Sequence, residues 1–171
     1  MGIFNFTKGI GEKLSGHKKE AAPAQQAAPT QQTAPQASPK SNEPDPQLIA
    51  NLLINRIQGL NLAINGLSVH YDGNTDTAEI KGTAKTQADR EKAILAAGNV
   101  DHVAKVVDHI MVETASPESK MYTVKSGDNL SKISKEVYGD ANQYQKIFEA
   151  NQPMLSSPDK IYPGQVLRIP A

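Results

Sequence analysis

No cysteine occurs in the 171 residues, so disulfide scaffolds, thiolate metal sites and thiol catalysis are all excluded. Neither sign of charge is in excess, because 18 basic side chains offset 18 acidic ones. The balance holds by region, with 6 basic against 8 acidic side chains over residues 47–115 and 7 against 6 over residues 116–171. Lacking a basic face, the chain is expected to partner neither nucleic acid nor an anionic membrane. No run approaches the roughly 20 apolar residues that a membrane span needs. The N-terminal stretch from Met1 to Lys8 has no basic region followed by an apolar run, so it does not read as a secretory signal. Gly2 starts a myristoylation pattern, but Phe6 stands where Ser or Thr is required. The expected location is cytoplasmic.

Catalytic patterns are missing as well. Of the histidines, His17 lies in a low-complexity stretch, His70 alternates with core residues, and His102 and His109 fall on opposite faces of an expected strand. No two have the i, i+4 helical spacing of a zinc site. There is no Gly-x-Ser-x-Gly elbow, and Gly9-Ile10-Gly11 lacks both the preceding strand and the third glycine of a dinucleotide loop. Scattered carboxylates offer no pair whose environments would separate an acid from a base. The chain is not expected to be an enzyme.

What is present divides into four parts. Residues 1–16 form an apolar island in which Phe6, Ile10 and Leu14 recur every fourth residue, as on one side of a helix. It is too short to be stable alone and must dock to be ordered. Residues 17–46 are dominated by Pro, Ala and Gln, with prolines at 23, 29, 35, 39, 44 and 46; they read as a disordered, extended tether.

Residues 47–115 form a first small domain. Ile49, Leu53 and Ile57 fall at helical spacing before Gly59. Leu67, Val69 and Tyr71 alternate as in a half-buried strand, and Asp72-Gly73-Asn74 turns into a partner strand through Ala78, Ile80 and Gly82. Thr86 and Asp89 signal the start of a helix that ends at Gly98-Asn99, and residues 102–112 read as a third strand. Residues 121–171 form a second domain. It opens with a strand at residues 122–125 and a turn at Ser126-Gly127-Asp128, where Asp128 is placed as the helix cap. Leu130, Ile133, Ser134 and Val137 line one helix and Tyr144, Ile147, Phe148 and Ala150 a second, before a closing strand over residues 166–169.

The run Tyr-Thr-Val-Lys-Ser-Gly-Asp-Asn-Leu-Ser-Lys-Ile-Ser, a later Ile-Phe-Glu-Ala-Asn and Ile-Tyr-Pro-Gly-Gln-Val-Leu-Arg-Ile-Pro resemble a LysM domain. Helix, strand, strand, helix, strand with Glu-Ile-Lys-Gly and Gly-Asn-Val resembles a BON domain. The expected fold class is therefore α+β: a BON domain (αββαβ) and a LysM domain (βααβ) behind the Pro/Ala/Gln-rich tether.

The LysM resemblance implies binding of N-acetylglucosamine-containing glycans through Gly127, Asp128, Asn129 and Leu130 opposite Met154, Leu155 and Ile161. These residues equally serve as turn, cap, core and rim without a ligand. The pair of domains behind Gly-Ile-Phe-Asn-Phe-Thr-Lys-Gly-Ile-Gly-Glu-Lys-Leu resembles a family of bacterial cytoplasmic potassium-binding proteins. That resemblance implies K+ held by the carbonyls of Thr7, Ile10, Glu12, Gly98, Val100 and Val103, compaction around the ion, and a monomeric sensor or buffer. Such a site has a physical basis, since carbonyl oxygens can replace the hydration shell of a large monovalent ion without adding formal charge. The last carbonyls of a helix also lack intrahelical partners. The tether separates the two parts of the ligand set, but loop closure grows only with the logarithm of length.

Overall fold

The computed structural model describes residues 2–7 and 44–170. The expected tether lies outside the described residues except for 44–46, and so do Ile10, Leu14 and Glu12.

Helix α1 (Pro46–Gly59) starts where Asp45 accepts a hydrogen bond from the Gln47 N–H at 2.8 Å, with Pro46 in the first turn. Its apolar stripe buries Ile49, Leu53 and Ile57 as their spacing predicts. Strands β2 (Ile64–Asp72) and β3 (Thr77–Thr86) form an antiparallel hairpin. The Asp72 carboxylate closes its turn by accepting from the Asn74 N–H and the Thr75 hydroxyl, both at 2.9 Å. Helix α2 (Gln87–Gly98) begins at a reciprocal cap: Thr86 Oγ1 accepts from the Asp89 N–H and donates to the Asp89 carboxylate. It crosses over to β4 (Lys105–Thr114), which pairs parallel to β3.

The third strand therefore runs over Lys105–Thr114 rather than the expected 102–112. His102 is not on a strand face; it sits in the preceding turn with φ of +80°. Val106, Asp108 and Ile110 point inward.

The described part of the N-terminal island is extended, whereas the helical spacing of Phe6, Ile10 and Leu14 runs outside the described residues beyond Thr7. Gly2–Asn5 is a strand, β1, antiparallel to β4 with Ile3 opposite Val107 and Phe4 opposite Val106. Residues 2–7 alternate between half-buried and exposed, so Phe4 and Phe6 face the core. The reason is the free edge of β4: pairing with a formed strand satisfies the backbone at once, whereas so short a helix must first nucleate. The sheet order is β1-β4-β3-β2, a BON αββαβ arrangement with one strand added.

In the second domain, β5 (Lys120–Thr123) pairs antiparallel with β6 (Val166–Ile169). The opening strand thus lies two residues earlier than residues 122–125. Helix α3 (Leu130–Tyr138) is capped by Asn129, whose side chain accepts from the Lys132 N–H at 2.8 Å, and it ends at Gly139 with φ of +79°. Asp128 is not the cap. Its carboxylate accepts instead from the Lys125 N–H at 2.9 Å and the Tyr122 hydroxyl at 3.0 Å, closing the turn before the helix. Helix α4 (Tyr144–Ala150) buries Ile147. A core of Val124, Leu130, Ile133, Ile147, Leu155, Leu167 and Ile169 holds this layer together.

The two domains are in contact. Arg168 on β6 pairs with the buried carboxylate of Glu91 on α2. Asn99 just beyond α2 hydrogen-bonds β6, and Met154 packs against the core of the first domain.

Candidate functional site

Three of the expected carbonyl ligands lie in one short segment. Helix α2 ends at Gly98, so the carbonyls of its last turn lie beyond the reach of an intrahelical donor and carry the negative end of the helix dipole. The chain then turns tightly. The Val103 N–H donates to the Val100 carbonyl at 3.2 Å across a left-handed His102. Gly98, Asn99, Val100 and Val103 are all buried.

This turn is braced on three sides. The Tyr71 hydroxyl donates to the His102 carbonyl at 2.6 Å. The N–H groups of Ala104 and Lys105 both donate to the Asp76 carbonyl, at 2.9 and 3.2 Å. The Asn99 side chain holds β6. A backbone fixed from several directions can present carbonyls in a set geometry, which is what coordination of a monovalent ion demands.

The N-terminal segment is brought to the same place. β1 lies along β4, and past its end the Phe6 N–H donates to the Ala104 carbonyl at 2.9 Å. The Phe6 ring covers Gly98 so closely that a Cβ there would stand 2.0 Å from the ring. Thr7 is therefore next to the turn that carries Gly98, Val100 and Val103. Ile10 and Glu12 lie outside the described residues.

The glycan set is differently employed. Leu130 and Leu155 are each 2% exposed and belong to the core, and Ile161 packs on its edge. Met154 faces the first domain. Asn129 caps α3, Asp128 closes its turn, and the Gly127 carbonyl accepts from the Lys132 ammonium at 2.7 Å. Among the described residues no group of three or more His, Asp or Glu side chains could hold a metal.

Sequence reasoning missed the polar contacts around α2. Asp108 is fully buried and pairs with Arg90 at 2.7 Å, while Arg90 also reaches Glu118 in the hinge between the domains at 3.2 Å. Glu91 accepts from Arg168, from the Ser119 N–H at 2.8 Å and from Gln87 at 3.0 Å. Burial pushes its carboxyl up, but these donors outweigh burial and hold it below its ordinary value. A signal for Asp108 was present, since an acid alternating with Val106 and Ile110 faces the core and needs a partner.

Comparison with known sequences places both domains: residues 58–114 match the BON domain and residues 122–170 the LysM domain. The chain is 44% identical to the potassium binding protein Kbp of Escherichia coli O6:H1 over 171 residues, covering 99% of each. It belongs to the Kbp family. Within wider similarity, an uncharacterized protein of Deinococcus radiodurans is 34% identical over 138 residues, 74% of this chain and 53% of that one. The uncharacterized protein YqbP of Bacillus subtilis is 37% identical over 60 residues, 30% of this chain and 27% of its own. The N-terminal strand therefore belongs to the aligned length of this Kbp-family chain. No helix among the described residues is long and apolar enough to cross a membrane.

Proposed function

We propose that this chain binds potassium through the backbone carbonyls of Thr7, Ile10, Glu12, Gly98, Val100 and Val103, compacts on binding, and serves as a monomeric cytoplasmic sensor or buffer rather than an enzyme. Residues 1–16 supply one part of the ligand set and the module at 47–115 the other. The tether at 17–46 joins them, and the LysM module at 121–171 packs on α2. Neither nucleic acid nor membrane has a part in this reading.

The observation that carries it is the seating of Phe6 on Gly98, with the Phe6 N–H bonded to Ala104. That contact joins two segments far apart in sequence at the end of a helix, where carbonyls lack intrahelical donors. The name of the Escherichia coli relative supports the choice of ion. A K+ ion that binds only the compact state stabilises it by RT ln(1 + [K+]/Kd), about 2.7 kcal/mol at one hundred times Kd. Titrating potassium and sodium separately, while following melting temperature and radius of gyration, tests this. A rise in melting temperature and a fall in radius with potassium alone are expected; equal, weak responses to both ions would sink the reading. Deleting residues 2–14 should abolish the response. Glycan binding is the other reading the LysM match suggests, but Leu130 and Leu155 are committed to the core. Retention on peptidoglycan after potassium removal would favour it.

A further inference from the structure

We infer that Asn99 is a positioning residue through which LysM strand β6 sets the geometry of the ion turn. This rests on the potassium reading above and extends it to a residue that supplies no ligand. Asn99 stands between Gly98 and Val100, two of the proposed ligands. Its side chain behaves like a strand partner toward β6: Nδ2 donates to the Val166 carbonyl at 2.8 Å, and Oδ1 accepts from the Val166 N–H at 2.8 Å. Two opposed hydrogen bonds on one backbone fix both position and orientation, which one bond cannot do. Asn99 is 7% exposed, so both hydrogen bonds are sheltered from water while the domains are in contact.

The same residue is held from the helix side, where its N–H donates to the Leu95 carbonyl at 3.0 Å. With its N–H on α2 and its side chain on β6, the Asn99 peptide planes have little freedom, and those planes carry the flanking carbonyl directions. A second polar contact between the domains, Glu91 with Arg168, lies two turns back along α2 and joins the domains without touching the turn. These two polar contacts of the domain junction therefore have different duties. Glu91 and Arg168 hold the domains together, whereas Asn99 makes that contact felt at the ion.

Linkage makes the relation reciprocal: if β6 orders the turn for potassium, potassium must strengthen the hold of Asn99 on β6. Removing the clamp frees one backbone residue to be ordered again on binding, which corresponds to a rise of about tenfold in the potassium midpoint.

The test uses the full chain throughout, with potassium midpoints measured by calorimetry for the wild type, Asn99→Ala and Arg168→Gln. Asn99 has φ of −83° and ψ of 25°, which alanine adopts without strain, so the substitution tests the side chain alone. The expected result is a midpoint raised about tenfold in Asn99→Ala at matched stability, with a smaller change in Arg168→Gln. Equal midpoints in wild type and Asn99→Ala would overturn the inference and leave the potassium reading intact. A wild type that takes up no potassium would overturn both. Hydrogen exchange at the Val166 amide in the unmodified chain gives an independent readout that does not depend on how a variant folds. Potassium should slow it by the factor 1 + [K+]/Kd, about a hundredfold at one hundred times Kd. Exchange at Val166 that is indifferent to potassium in a chain that binds the ion refutes the coupling.

Discussion

Replacing Gly98 with alanine separates two effects of opposite sign. Gly98 is the last residue of α2 with helical backbone, so alanine there relieves the entropic cost of glycine by up to about 1 kcal/mol. The new methyl group, however, would lie 2.0 to 2.2 Å from the far end of the Phe6 ring. The backbone need not move, because Phe6 can swing away, and the cost is then the packing that Phe6 loses. Full burial of a phenylalanine is worth about 1.5–3 kcal/mol, and Phe6 is only partly buried, so roughly half of that is at stake. The two effects nearly cancel in global stability, and urea denaturation of Gly98→Ala should differ little from wild type. They do not cancel locally. The docking of β1 should weaken about tenfold, read from hydrogen exchange of the Phe6 amide that bonds Ala104. In a Phe6→Ala background the clash is gone, and Gly98→Ala should then stabilise the protein by up to about 1 kcal/mol. If Gly98→Ala has the same effect with and without the Phe6 ring, the ring is not what the glycine accommodates, and the account of how the N-terminus reaches the turn is wrong.

Three further outcomes follow from the polar contacts. Arg90→Met leaves the Asp108 carboxylate buried without its cation and should cost about 3 kcal/mol in urea denaturation, because an orphaned buried charge is far costlier than a lost surface pair. Asn129→Ala removes the cap of α3 and should cost about 1 kcal/mol in thermal melts; a larger loss of α3 in Asp128→Ala would return the cap to Asp128. The Glu91 carboxyl is lowered in the folded protein from an ordinary value of 4.5, so its contribution to stability is complete above that value and is lost as pH falls through the lower folded one. Melting temperature in the wild type should therefore fall below about pH 4.5 more steeply than in Glu91→Gln, and parallel profiles would remove Glu91 from the acid response.

The elements that sequence reading placed well are those set by local pattern. Ile49, Leu53 and Ile57 mark the buried stripe of α1, and Leu130, Ile133 and Ser134 that of α3, because one face of a helix is written at short spacing. The strand over Gly2–Asn5 was not legible locally, because what orders it is the open edge of β4, a hundred residues away in sequence. Asp128 and Asn129 are adjacent and both suited to capping, and only the turn geometry that takes up the Asp128 carboxylate resolves them. Asn99 carried no mark at all. Its partner is the backbone of Val166, 67 residues on, and a backbone group has no identity in the sequence. The candidate ion ligands share that property, which is why resemblance rather than residue chemistry pointed to them.

Helix α2 nevertheless carried one sign of its double attachment. From Ala93 to Gly98 every residue is buried, with no polar face between, and a helix apolar on all sides is covered on all sides. Ala93, Ile94, Ala96 and Ala97 belong to the core of the first domain, but Leu95, fully buried, does not. The side that carries Glu91 and Asn99 is met by β6 instead. On an isolated BON module, Leu95 would be deprived of that cover and Glu91 and Asn99 of their partners, at the end of α2 where the proposed ligands begin. The first domain braces the turn after α2 through Tyr71 and Asp76, and β6 adds a hold on Asn99 from the other side. The LysM module, whose own resemblance suggests a glycan, therefore has a structural task that needs no sugar: it closes the second side of α2 and so holds in place the turn at which the N-terminal strand arrives.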